Sequence, residues 1–230
     1  MGRNGVDLKR LAETVLTPCR PLSPQDQRLI GAAYRVLAEG APASVEEIAD
    51  AAGLSREAAV AFVGEMPGVA RFDSKGQIVG FLGLSLTATS HRMVMNGVML
   101  YTWCAWDSLF LPRVLGIDAT VTSRCPITGT TIAMVVGADA IGDVSPPETM
   151  LSFLVACDAR HANGVVAACC EHIHFLGSAA AGDRWLITHR VGAVLTLGDA
   201  MELARIFADN VLGGPAAPLR AADTPSLTSV

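Results

Sequence analysis

The chain is short of positive charge. Its formal net charge is −5, which argues against nucleic acid as the main partner, since phosphate binding needs a basic surface. It also lacks a membrane span. The longest apolar stretch, Thr130 to Val144, is interrupted by Asp139 and Asp143 and falls short of the roughly 20 residues a span requires. The segment from Met1 to Arg10 has no apolar signal core, so the expected location is cytoplasmic. No cysteine pair has the Cys-x-x-Cys spacing of a zinc knuckle. There is no internal repeat, glycine-rich phosphate loop or dinucleotide fingerprint. Six cysteines without a secretory signal point to free thiols rather than a disulfide framework.

What is present is enough for a real core. Of 230 residues, 51% are hydrophobic and 17% charged, enough for one large domain or two small ones. Residues 1–25 read as a weakly helical lead broken at Pro18, Pro21 and Pro24, with Cys19 in the break. Residues 26–84 read as a winged helix-turn-helix-like domain. Leu29, Ile30, Ala33, Val36 and Leu37 recur at helical spacing up to Gly40. Ser44 and Glu47 form a capping box for a second helix closed by Gly53. Ser55 caps a third, stopped at Pro67-Gly68. Val69 to Phe72, a turn at Asp73 to Gly76 and a strand from Gln77 to Leu84 complete the unit. Charge assigns it a structural role. Between Asp26 and Gly68 there are three basic residues and seven acidic ones, and a helix that reads the major groove would carry cations.

Residues 85–212 change to short strands, so the expected fold class is α+β. The winged-helix-like domain precedes a mixed, mainly antiparallel β-sheet catalytic domain with flanking helices. Asn96-Gly97 is a hairpin turn between Leu86–Val94 and Val98–Trp103. Cys104 to Phe110 reads as a short helix ended by Pro112. Ala119–Ser123 and Thr130–Val136 flank Cys125-Pro-Ile-Thr-Gly129 as a hairpin, and Met150–Ala156 and Val165–Phe175 are further strands. Ser178 caps a helix running through Trp185 to His189, and Leu197 to Leu212 is the last helix. Residues 213–230 form a flexible tail.

Two stretches carry chemistry. In Tyr101-Thr-Trp-Cys-Ala-Trp-Asp-Ser-Leu-Phe-Leu-Pro112, a thiol and a carboxyl stand three residues apart among apolar neighbours. On a helix Cys104 and Asp107 share a face, and a Cys104 that opens the helix has its thiolate stabilised by the dipole. Trp103 and Trp106 can shield the site, raising the carboxyl pKa and keeping a proton available. The second stretch is Cys169-Cys-Glu-His-Ile-His-Phe175. Strand alternation sends adjacent cysteines to opposite faces, so only one of Cys169 and Cys170 can meet Cys104. His172 and His174 would share a face, as zinc or copper ligands or as hydrogen-bonded residues. Cys125 and Cys157 read as structural and core thiols.

Together with Ser123-Arg-Cys-Pro-Ile-Thr-Gly129 and Cys169-Cys-Glu-His-Ile-His-Phe-Leu-Gly-Ser178, the Tyr101–Pro112 stretch resembles the signature of the organomercurial (alkylmercury) lyases, in order and approximate spacing over roughly residues 25–212. The resemblance implies protonolysis of the carbon–mercury bond of R-Hg-X to a hydrocarbon and Hg(II). It implies Cys104 and Cys169 as mercury-binding thiolates and Asp107 as the third member. It also implies a structural Cys125, no organic cofactor or resident metal, cellular thiols for turnover, and hand-off of Hg(II) to a mercuric reductase. A monomer or weak homodimer is expected. Trp106, Glu171, Cys19, Cys157 and the 1–25 lead depart from the family pattern. The alternatives are a soft-metal-responsive winged-helix regulator and a non-catalytic Hg(II)-binding homologue.

Overall fold

In a computed structural model, residues 11–12, 22–154, 170–210 and 212–213 are described. The expected positions of Cys19, Cys157 and Cys169 lie outside them, as does nearly all of the 213–230 tail. The front half opens with helix α1 (Pro24–Ala38), α2 (Val45–Ala52) and α3 (Arg56–Glu65). Each start is written locally. Ser44 and Glu47 close the expected capping box, the Glu47 amide donating to Ser44 Oγ at 3.1 Å and the Ser44 amide to Glu47 Oε2 at 2.7 Å. Ser55 accepts from the Ala58 amide at 3.3 Å to start α3. Pro24, read from sequence as part of a break, is instead the first residue of α1. Proline suits that position because its fixed φ is already helical and its missing N–H would have no partner there.

Strands β1 (Ala70–Phe72) and β2 (Ile78–Phe81) pair as the expected hairpin. The strand expected from Gln77 to Leu84 does not run through. It breaks at Leu82 and Gly83, and β3 (Leu84–Ser85) folds back antiparallel on β2 with Phe81 opposite Leu84. Leu82 has φ 38° and Gly83 φ 97°, the two left-handed residues of a tight hairpin turn.

The sheet then continues without interruption. Strand β3 pairs with β5 (Val98–Thr102), β5 with β4 (His91–Met95), β4 with β6 (Ala119–Arg124), β6 with β7 (Thr131–Val136), and β7 with β8 (Ile141–Ser145). All eight strands form one antiparallel sheet in the order β1-β2-β3-β5-β4-β6-β7-β8. Asn96-Gly97 makes the expected β4–β5 turn, both with positive φ. Burial alternates as the pleat requires: His91, Met93 and Met95 on β4 and Ala119, Val121 and Ser123 on β6 point inward.

A second sheet holds β9 (Met150–Leu154) between β10 (Phe175–Leu176) and β11 (Gly192–Thr196). Helix α5 (Ala179–Thr188), capped by Ser178, and α6 (Leu197–Asn210) pack against it. Helix α4 (Asp107–Leu115) lies against α6 and β7. The Arg113 guanidinium pairs with both carboxylate oxygens of Asp209 at 2.9 and 3.0 Å, and also with Asp139, tying α4 to α6. The fold is α+β with mainly antiparallel sheet, as the strand-rich second half predicts.

Three local expectations are corrected. Cys104 does not open a helix, because α4 begins at Asp107. Pro112 does not end it. The helix runs on to a left-handed Gly116, whose amide returns to the Pro112 carbonyl. The described part of the stretch expected as a strand from Val165 to Phe175 is a single 3-10 turn at Cys170–His172, and strand geometry resumes only at Phe175.

Candidate active site

Two loops that are remote in sequence meet, one leaving β5 and the other leading into β10. Residues Trp103 to Trp106 leave β5 and turn into α4. The Thr102 hydroxyl donates to the Cys104 carbonyl at 2.8 Å, and the Ser108 hydroxyl to the Ala105 carbonyl at 2.6 Å. The second loop is the Cys170–His172 turn. Ser152 on β9 holds it: its hydroxyl donates to the His172 carbonyl and its oxygen accepts from the His174 amide, both at 2.9 Å. The Ala105 amide bridges the two loops, donating to the Ile173 carbonyl at 3.1 Å.

That bridge brings three side chains together. The sulfurs of Cys104 and Cys170 and a carboxylate oxygen of Asp107 lie within 4.8 Å of one another, and all three residues are buried. The Cys104 amide donates to Asp107 Oδ2 at 2.8 Å. Cys104 and Asp107 do come together, but with Cys104 in the loop before α4 rather than on a shared helix face. The described member of the vicinal pair, Cys170, supplies the second sulfur. Alternation along a strand cannot decide between the two cysteines, because Cys170 sits in a 3-10 turn.

The electrostatics follow from burial. Desolvation raises the Asp107 carboxyl to about 7, against the lowering effect of its hydrogen bonds with the Cys104 side chain and amide. The Cys104 thiol is raised well above its ordinary value, first by burial, then by the Cys170 thiol hydrogen-bonded to it and by the nearby Asp107 charge. A helix-dipole-activated thiolate is therefore not what the fold builds. It builds a protonated thiol beside a carboxyl that exchanges protons near neutral pH. Trp106 is buried against Phe110, Phe153 and Phe207, with ring centroids 5.0 to 5.5 Å apart. Trp103 is half-buried, with the Arg71 guanidinium 5.3 Å from its ring centroid.

Other candidates fall elsewhere. The His174 ring stacks near His91 at 6.0 Å, whereas His172 meets His189 at 5.5 Å. The two imidazoles thus serve different neighbours, and among the described residues they join no cluster of three metal-ligating groups. Cys125 is buried in the β6–β7 turn. Burial pushes its thiol up, but hydrogen bonds to the sulfur from the Thr128 side chain and the amides of Gly177, Thr128 and Ile127 outweigh this and bring it below its ordinary value. Those bonds link the β6–β7 turn to the segment before α5, which fits a structural cysteine. The sequence reading missed Gly83, whose backbone closely approaches Asp107 from the front half, and Tyr34, whose hydroxyl anchors the adjoining Leu82 carbonyl. A glycine inside a strand pattern, signalling close backbone approach, was the available sign.

Two thiols and one carboxyl gathered in a buried site are a donor set that suits a soft metal, with an acid at its edge. The sequence profile of the family described as alkylmercury lyase, MerB, matches residues 84–209. An alkylmercury lyase of Streptomyces lividans is 35% identical over 184 residues, covering 80% of this chain and 83% of that one. One from Pseudomonas putida is 34% identical over 204 residues, covering 89% and 93%. A solved structure described as the mercury-bound form of MerB2 superposes with a TM-score of 0.69 at 21% identity, over 89% of this chain and 98% of that one. The chain belongs to the alkylmercury lyase family and is an enzyme of that class.

Proposed function

We propose that the protein cleaves the carbon–mercury bond of organomercurials by protonolysis, with Cys104, Cys170 and Asp107 as the reacting groups. The observation that carries this is the meeting of two thiols and one carboxyl within 4.8 Å in a buried site. Mercury of R-Hg-X takes the sulfurs of Cys104 and Cys170, and X leaves as the anion. Each Hg–S bond releases a thiol proton. Asp107 accepts one and delivers it to the carbon. The C–Hg electron pair becomes the new C–H bond, giving R-H. The second proton goes to solvent, and Hg(II) remains on two thiolates. Soft thiolates suit mercury and push electron density toward the departing carbon. A carboxyl near 7 can both accept and donate at neutral pH.

The resemblance had placed the second thiolate on Cys169. We assign it to Cys170, whose sulfur is beside Cys104. No resident cofactor is required by this scheme. External thiols strip the bound Hg(II), a mercuric reductase is the expected acceptor, and the reaction runs in the cytoplasm, in a monomer or weak homodimer. Helices α1–α3 with β1 and β2 are read as a winged-helix-like scaffold without a DNA-binding role, on the acidic balance of that segment.

The test is hydrocarbon release from methylmercury with excess thiol. Wild type should release methane. Cys104→Ser and Cys170→Ser should not. Asp107→Ala should bind mercury but release none. A fully active Cys170→Ser beside an inactive Cys169→Ser would return the role to Cys169.

A further inference from the structure

The hairpin turn between β2 and β3 lies directly on the acid of the site. A Cβ placed on Gly83 would fall 2.6 Å from Cγ of Asp107, 2.8 Å from Oδ1 and 3.0 Å from Oδ2. Those distances are below van der Waals contact, so no side chain fits at residue 83 unless the carboxyl moves. The φ of 97° also favours glycine there.

The turn is held on several sides. The Leu82 amide donates to the Val69 carbonyl at 2.9 Å. The Tyr34 hydroxyl, from the buried face of α1, donates to the Leu82 carbonyl at 2.7 Å. The Trp103 amide, one residue before Cys104, donates to the Gly83 carbonyl at 2.8 Å. Leu82 itself has φ 38°, a left-handed conformation that a bulky side chain adopts only under constraint. A turn of this kind ordinarily uses Asn-Gly. Here the strained residue sits next to the one that touches the carboxyl.

We infer that Gly83 and Tyr34 are positioning residues for carbon–mercury cleavage: the Leu82–Gly83 turn, anchored by the Tyr34 hydroxyl, is a shelf that presses the Asp107 carboxyl into place beside Cys104. The front half of the chain thereby enters the site through one turn and one phenol rather than serving only as scaffold. The Tyr34 phenol is raised well above its ordinary value by burial and then by the Asp107 charge, in keeping with a hydroxyl that stays protonated and donates to Leu82. The inference rests on Asp107 being the proton-transfer group.

Gly83→Ala and Tyr34→Phe should be compared with Asp107→Ala. For each, kcat and KM for methylmercury are measured with excess thiol. Stoichiometric Hg(II) binding is read from thiolate–mercury absorbance. Gly83→Ala should lose about 100-fold in kcat, the scale of an ångström-level misplacement. KM and Hg(II) stoichiometry should hold. Tyr34→Phe keeps the ring and loses only the anchor, so it should lose kcat by a smaller factor, roughly 5- to 10-fold on the same argument. Wild-type kcat in Gly83→Ala beside an inactive Asp107→Ala overturns the shelf. So does a Gly83→Ala that loses Hg(II) binding in step with kcat, because the whole site has then collapsed. If Gly83→Ala does not fold, a folded Tyr34→Phe decides alone, and unchanged kcat in it overturns the proposal. An Asp107→Ala with full turnover removes the proton-transfer reading instead, an outcome separable from the others.

Discussion

The backbone amide of Cys104 donates to Oδ2 of Asp107 at 2.8 Å, closing a ring over the four residues from the cysteine to the acid. The bond fixes the carboxyl against the backbone of the cysteine it serves. It also favours the carboxylate, yet burial outweighs it and the group titrates at about 7. Proton exchange near neutrality is therefore a balance between the dry surroundings and the hydrogen bonds from the Cys104 side chain and amide.

The two thiols act as a pair in the proposed reaction, so losing either should be nearly as damaging as losing both. Cys104→Ser and Cys170→Ser should each lower methane release on the order of 1000-fold or more, and the double variant should fall little further, as with catalytic groups that act as a unit. Gas chromatography of the headspace measures it. Additive losses in the double variant would argue against a shared mercury.

Asp107 should make the protein less stable as pH rises. Its folded pKa, about 7, lies above the ordinary value of 3.8. The stabilising share is full below the unfolded value and is lost as pH rises through the folded one. It amounts to on the order of 4 kcal/mol across that interval. Asp107→Asn keeps an acceptor for the Cys104 amide and has no charge to bury. Urea melts should show the variant gaining on wild type from pH 4.5 to pH 8, while turnover is lost. A constant difference across that range would contradict the raised pKa.

His91 should act on the acid side. Burial, and then the His174 charge, lower its pKa from 6.5 to about 3, and its Nδ1 lies 2.8 Å from Ser123 Oγ. A depressed folded pKa gives stability that is present above the unfolded value and lost as pH falls toward the folded one. The loss is on the order of 5 kcal/mol by pH 3. In His91→Gln the slope of stability between pH 6.5 and pH 4 should flatten, as followed by chemical denaturation at each pH.

A cap far from the site should move stability alone. Ser55 accepts from the Ala58 amide to start α3, and Ser55→Ala should cost about 1 kcal/mol, or roughly 2–4 °C in a domain of this size. Calorimetry reads the shift, and kcat should stay at the wild-type value.

Much of the fold was legible because its signals are local. Capping serines at residues 44, 55 and 178 start their helices where they stand. Asn96-Gly97 makes its hairpin, and alternation on β4 and β6 matches burial. The errors came where a local rule was overridden. Pro112 was read as a stop, but α4 packs against α6 and β7 strongly enough to carry it through. Gly83 was read as mid-strand because the apolar pattern of residues 77–84 continues across the turn.

Sequence alone determined the chemistry of this protein: which residue types are available, a thiol three positions before a carboxyl, and a vicinal cysteine pair far downstream. These are matters of covalent order. Only the tertiary structure decided how they meet. The Ala105–Ile173 hydrogen bond and the Ser152 clamp hold the turn that carries Cys170 beside Cys104. Burial, which no single stretch of sequence contains, sets Asp107 near neutrality. The Gly83 backbone reaches that carboxyl because a turn distant in sequence is held there by hydrogen bonds to three other elements of the fold. Residue chemistry is carried by the chain, but desolvation and close approach are properties of what packs around it.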